Sequence, residues 1–275
     1  MEAGVNTHLT EKQIKSYRKD GCLVYKNLLD ETEIEVLLSG ISTALEEMGS
    51  NKVAGSSVLN NPKENKPDAF YDSVFLQKLN LWKISDAVKK IFLGPEIGEM
   101  ICKLEGIDGV RVWHDQTLQK RPWSNPTGWH LDNPFWSFYS MNAISIWVAL
   151  DDATVQNGCL YYIPGSHKQG SHEKHVEISS NFGSLFKTYP EWASVEPVSG
   201  EMKRGDCGFH NGLTAHGAGV NNTPYPRRAM TCGYMPDGST FNGNKNILPK
   251  DYIERLKVGD LLNNEEQNPL IWPVK

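Results

Sequence analysis

His130 and Asp132 stand one spacer apart around Leu131, His216 lies far downstream, and Arg227 follows it by eleven positions. Two imidazoles and one carboxylate form the donor set of a facial triad, which holds one side of an iron(II) ion. If the pair lies on a strand, alternate residues point the same way and both can reach one metal, with His216 closing the site from another strand. Three protein ligands leave three octahedral positions open, enough for a bidentate 2-oxoacid and dioxygen, whereas a structural zinc site is closed by four. Arg227 is placed to grip an acidic co-substrate with its planar fork.

Other histidines offer rival chemistry. His175-Val176-Glu177 repeats the spacing, but it sits in the polar stretch Ser166 to Glu177 without apolar alternation and reads as a solvated loop. His114 and Asp115 are neighbours, so on a strand they face opposite sides and read as structural. No serine or cysteine nucleophile motif accompanies them. Gly165-Ser166-His167-Lys168 lacks the glycine spacing of a phosphate loop and reads as a turn closing a strand.

The elements that must position these residues change character along the chain. Thr10 with Gln13, and Asp30 with Glu33, are capping boxes that open two helices, the first ending near Gly21, with a strand at Cys22 to Tyr25 between them. The second helix carries Ile34, Leu37, Leu38, Ile41, Leu45 and Met48 at helical spacing. From Gly49 to Tyr71, Asn, Ser, Lys, Pro and Gly predominate, and the segment reads as a mobile loop and candidate lid. Phe75 to Leu93 reads as helical, and Pro95 opens a helix to about Leu104. Beyond Gly109 the period becomes two: Val110 to Leu118, Ala143 to Leu150, Leu160 to Ile163, Cys207 to His210 and Ala229 to Met235 read as strands of a β-sandwich or barrel. Pro249 to Leu256 reads as a late helix.

A chain of 275 residues can bury one sizeable core, and the expectation is a single domain over 1–275, helical over about 1–105 with a β core over about 106–240. The net charge of −5 argues against nucleic acid as a partner. Five cysteines without a CxxC pair suit free thiols in a reducing compartment, and cytoplasm is the expected location. The first ten residues lack the apolar region of a secretory signal, no run suggests a membrane span, and the last residues are not a peroxisomal SKL tail.

Trp129-His130-Leu131-Asp132, Trp147 to Asp152, Asn157 to Lys168, Gly205-Asp206, and His216-Gly217 with Arg227 occur in an order that resembles the phytanoyl-CoA dioxygenase family. The resemblance runs from about Thr10 to the C-terminus and is most informative from Val110 to Pro236. It implies a mainly β fold with flanking helices, the double-stranded β-helix or cupin-like jelly roll. It also implies iron(II), dioxygen and 2-oxoglutarate as co-substrate, with succinate and carbon dioxide released as a small-molecule substrate is oxidised. Carried over by position, it assigns His130, Asp132 and His216 to the metal and Arg227 to the co-substrate, with Arg228 the competitor of opposite facing. Gln116, Trp147 and Lys78 match positions that line the co-substrate. Relatives often carry serine where this chain has Ala218, so a hydroxyl contact to 2-oxoglutarate is missing there.

Five of the eight tryptophans fall between positions 113 and 147. Phe135, Trp136 and Tyr139, just after the ligand pair, are the candidates to wall an apolar or cationic substrate. Hydroxylation of an unactivated C–H bond is the expected reaction. Desaturation, epoxidation or ring closure, a non-catalytic barrel that binds a metabolite or another protein, and a zinc or iron cupin hydrolase or isomerase remain open.

Overall fold

A computed structural model describes residues 5–54 and 69–273. Two antiparallel sheets face each other in it. The larger has seven strands: β1 (Cys22–Tyr25), β2 (Phe75–Leu79), β3 (Val110–Lys120), β5 (Ile144–Ala149), β8 (Cys207–Asn211), β10 (Ala229–Pro236) and β11 (Leu270–Trp272). They run β1-β8-β5-β10-β3-β11, and β2 pairs with the far half of β3. The smaller sheet is β4-β9-β6-β7, formed by β4 (Thr127–His130), β6 (Leu160–Tyr162), β7 (Val198–Gly200) and β9 (His216–Ala218). This is the jelly roll implied by the resemblance.

Helices cover the outer face of the larger sheet: α1 (Glu11–Asp20), α2 (Glu31–Met48), α4 (Asp86–Phe92) and α5 (Pro95–Glu105). Both capping boxes form, and the α2 stripe buries Ile34, Leu37, Ile41 and Met48, while Leu38 and Leu45 are half-buried. Alternation divides each strand between two tasks. In β5, Ile144, Ile146 and Val148 pack under the helices, and Ser145 and Trp147 face the space between the sheets. In β8, Cys207 and Phe209 join the helical core while His210 points inward.

Two expectations are corrected, and the candidate lid lies largely outside the described residues. The segment expected to be helical from Phe75 begins as β2, turns through a 3-10 helix at Leu81–Lys83, and becomes helical only in α4. The extended conformation of β2 places Phe75 against the cavity, a role its apolar period could not reveal. Of the candidate lid, residues 55–68 lie outside the described residues; Val53 pairs with Leu79, and α3 (Ala69–Val74) carries Tyr71 to the cavity. The late helix is only α7 (Lys250–Ile253).

Candidate metal centre

His130 ends β4, and His216 opens β9 directly opposite it in the register. The closely approaching backbones bring the two rings to 4.2 Å between centroids. Gly128 admits a loop behind the ligand strand: its N–H donates to the Ser179 carbonyl at 2.7 Å, and a Cβ there would stand 2.7 Å from that oxygen. Asp132 corrects the premise of an extended pair. The strand stops at His130, and Asp132 has right-handed helical dihedrals at the start of a 3-10 turn, Asn133–Phe135, containing Pro134. The turn still delivers the carboxylate, and the three donor atoms lie within 4.8 Å of one another.

Hydrogen bonding fixes which atoms face inward. His130 Nδ1 donates to the Gly128 carbonyl at 2.8 Å and His216 Nδ1 to the Thr214 carbonyl at 2.9 Å, leaving both Nε2 lone pairs free. Each Nε2 stands 3.6 Å from Asp132 Oδ1. The second oxygen, Oδ2, accepts from Ser145 Oγ at 2.9 Å and from His210 Nε2 at 3.1 Å. Burial, followed by the neighbouring imidazole, pushes the pKa of His130 and of His216 down to about 4. Burial alone would raise the Asp132 carboxyl, but His216, the His210 hydrogen bond and His130 together hold it well below the usual range. At neutral pH the centre is therefore two neutral imidazoles and an anion, three acceptors aimed at one point with no proton to share. That arrangement is unfavourable unless a cation lies between them, and the nitrogen and oxygen donors suit iron(II).

A cavity opens from this point. Arg227, just before β10, is 1% exposed and stacks its guanidinium over the Trp147 ring at 4.7 Å. One of its terminal nitrogens donates to the Gly158 carbonyl at 3.1 Å; Nε and the other terminal nitrogen have no partner among the described residues. Burial pulls its pKa down to about 10, so it remains charged at neutral pH. Arg228 faces the other way and forms a two-pronged pair with Asp151, at 2.9 and 2.6 Å. Gln116 and Trp147 line the cavity, as do Tyr71, Phe75, Leu118, Thr127, Leu160, Ala218 and Thr231.

The remaining candidates lie elsewhere. The Lys78 amine donates to the carbonyls of Gly49 and Asn51 and is not part of the cavity wall. Trp136 is buried against Phe138 and Trp113, away from the wall. Phe135 meets the His175 ring at 5.2 Å, and the half-exposed Tyr139 stacks on His172 at 4.8 Å. Their loop is held from the C-terminal side, where Asn242 donates to the Trp136 carbonyl and Asn244 and Asn246 both donate to that of Phe135. His175 and Glu177 are exposed and outside the ligand cluster. Asp115 faces away from the cavity and accepts the Leu81 and Trp82 N–H groups.

Sequence reasoning missed Ser145 and Thr127, and it rightly left His210 out of the ligand set without seeing its contact to Asp132. Ser145 had a signal, as the one polar residue in the apolar run 143–150. Thr127 lies opposite Ala218 in the β4–β9 register, and its buried hydroxyl has no partner.

Comparisons with known proteins agree with this geometry. The profile of the Phytanoyl-CoA dioxygenase (PhyH) family matches residues 17–229. A phytanoyl-CoA dioxygenase domain-containing protein 1 homolog of Dictyostelium discoideum is 24% identical over 271 residues, covering 87% of this chain and 96% of the relative. The fold is similar to that of SnoK, a non-heme alpha ketoglutarate dependent carbocyclase from nogalamycin biosynthesis, with a TM-score of 0.78 at 24% identity over 98% of this chain and 99% of that one. It also resembles the epimerase SnoN in complex with Fe3+, alpha ketoglutarate and nogalamycin RO, with a TM-score of 0.70 at 22% identity over 95% and 98% of the two chains. With 213 consecutive positions matched by the family profile and the His-Asp-His cluster assembled, the chain belongs to the phytanoyl-CoA dioxygenase family.

Proposed function

We propose that this protein, an iron(II)- and 2-oxoglutarate-dependent oxygenase of that family, hydroxylates a small-molecule metabolite and releases succinate and carbon dioxide. The observation that carries the reading is one cavity holding both an acceptor-only triad and a buried arginine with two unpartnered nitrogens. An orphaned buried N–H costs on the order of 1–3 kcal/mol, more when charged, and a carboxylate supplies what Arg227 lacks.

The iron, when bound with the 2-oxoacid, supplies dioxygen activation coupled to decarboxylation. The chain's own residues prepare that chemistry. His130 and His216 present neutral Nε2 atoms because their Nδ1 protons are committed to carbonyls. Asp132 offers Oδ1 because Ser145 and His210 occupy Oδ2. Arg227, backed by Trp147, takes the distal carboxylate of 2-oxoglutarate, and Thr127 supplies the hydroxyl that Ala218 does not. Tyr71, Phe75, Gln116 and Thr231 form the remaining wall, where the substrate sits.

No described helix is long and apolar enough to cross a membrane. All five cysteines are free and buried, which supports a reducing, cytoplasmic setting. The deciding experiment is anaerobic addition of iron(II) and 2-oxoglutarate, which should give a weak visible charge-transfer band. A colourless complex at saturating co-substrate would sink the reading. Oxygen-dependent succinate formation across metabolite pools then identifies the substrate.

A further inference from the structure

Lys120, the last residue of β3, is fully buried, and the reading above gives it no task. It is paired directly with Arg227: Lys120 N–H donates to the Arg227 carbonyl at 2.8 Å and Arg227 N–H to the Lys120 carbonyl at 3.0 Å. Residues that exchange both hydrogen bonds in an antiparallel pair raise their side chains from the same face. Two cationic side chains thus enter one dry region together, which is costly unless an anion compensates them. Among the described residues no carboxylate pairs with either one: Asp151 acts on Arg227 from a distance but is committed to Arg228. The Asn125 carbonyl accepts from Lys120 Nζ at 2.8 Å, and the Phe75 ring, itself part of the cavity wall, lies 5.0 Å from that nitrogen. From the turn before β6, Gly158 packs on the lysine stem, and the Cys159 thiol acts on Arg227. The charged group facing Lys120 from the neighbouring segment is Arg227, whose partner-free nitrogens face the same deficit.

We propose that Lys120, buried behind the cavity wall beside Arg227, is a proton-switchable cation that acts on the co-substrate site through Arg227, a positioning residue that takes a proton from solvent when a dicarboxylate binds there. Burial, with the Arg227 charge added, pushes the Lys120 amine down to about 7, so in the empty site much of it is neutral near physiological pH. A carboxylate at Arg227 cancels that repulsion and draws the proton in. Arg227 itself cannot supply the change, because it already carries its charge. The inference rests on the co-substrate reading of Arg227.

The test is calorimetric titration of 2-oxoglutarate into the full-length, nickel(II)-loaded protein at pH 8, in phosphate, HEPES and Tris, whose ionisation heats differ. We expect uptake of roughly 0.5–0.9 proton per site, by linkage, vanishing below pH 6 where the lysine is already protonated. In Lys120→Met the uptake should disappear and 2-oxoglutarate should bind about tenfold more weakly with nickel affinity unchanged; Lys120→Arg, always charged, should bind without uptake. Absence of uptake in the wild type, uptake that persists below pH 6, or uptake retained in Lys120→Met overturns the proposal. Failure of 2-oxoglutarate to bind in any buffer overturns the co-substrate reading with it, whereas binding without uptake overturns only the role of Lys120.

Discussion

His210 Nε2 lies 3.1 Å from Asp132 Oδ2, while Oδ1 of the same carboxylate faces the Nε2 atoms of His130 and His216, each at 3.6 Å. The carboxylate is divided between two duties, one oxygen for the metal and one for the protein. With Oδ2 also held by Ser145, a metal would be bound through one oxygen, preserving open positions that a two-oxygen grip would consume. His210→Ala should weaken metal binding by roughly 10–100-fold, the usual consequence of removing a partner behind a metal ligand, and His210→Gln should recover part of it. Competition against a chelator measures both; unchanged affinity in His210→Ala would show that Ser145 alone suffices.

Arg227→Ala should cost on the order of 2–5 kcal/mol of 2-oxoglutarate affinity, as for other truncated buried charge pairs, while metal affinity survives. Arg228→Ala removes a partly exposed pair with Asp151 and should lower stability by about 1 kcal/mol or less, leaving co-substrate binding intact. Paired co-substrate titrations and thermal melts check the contrast, and the reverse pattern would reassign the anion site.

Thr127 and Ala218 give a compensation experiment. Thr127→Val should weaken 2-oxoglutarate by about 0.5–1.5 kcal/mol, the worth of one hydrogen bond. Ala218→Ser, placed directly opposite, should restore much of that loss in the double variant. If Thr127→Val leaves the dissociation constant unchanged, the hydroxyl serves only the fold.

For the metal-free protein, pH dependence has a definite sign. His130 and His216 each have a folded pKa of about 4, below the ordinary 6.5, so their contribution to stability is present above pH 6.5 and lost as pH falls toward 4. Between pH 7 and pH 5 the apo form should lose roughly 2–4 kcal/mol from this pair, because the unfolded chain binds protons that the folded one refuses. Denaturant melts at the two pH values measure it. Metal affinity should stay level from pH 8 to about 5, since neutral imidazoles release no proton on binding.

What could be read from the residues alone follows from how local the signal was. The α2 stripe, the capping boxes and the strand at Cys22–Tyr25 depend on neighbours within a few positions, and they form as the sequence suggests. The placement of His130 near Asp132 was legible from spacing, although the backbone achieves it with a turn rather than a strand. His210 reaches across 78 positions to its partner, and Lys120 meets Arg227 across 107, distances at which no periodicity speaks. Phe135, Trp136 and Tyr139 were singled out for closeness in sequence to a ligand. The 3-10 turn at Asn133–Phe135 carries them away from the wall, and Tyr71 and Phe75 arrive there from a segment whose pattern looked helical.

The metal ligands His130 and His216 belong to the smaller sheet, whereas Arg227 leads into β10 of the larger one. A molecule held at both ends would therefore span the gap between the sheets, and the side chains packed between the two faces keep that gap from changing easily. On the proposed reading the sandwich works as a ruler for chain length. If Arg227 takes the distal carboxylate as proposed, four-carbon and six-carbon 2-oxodiacids should both bind more weakly than the five-carbon one, because the two grips sit on different sheets.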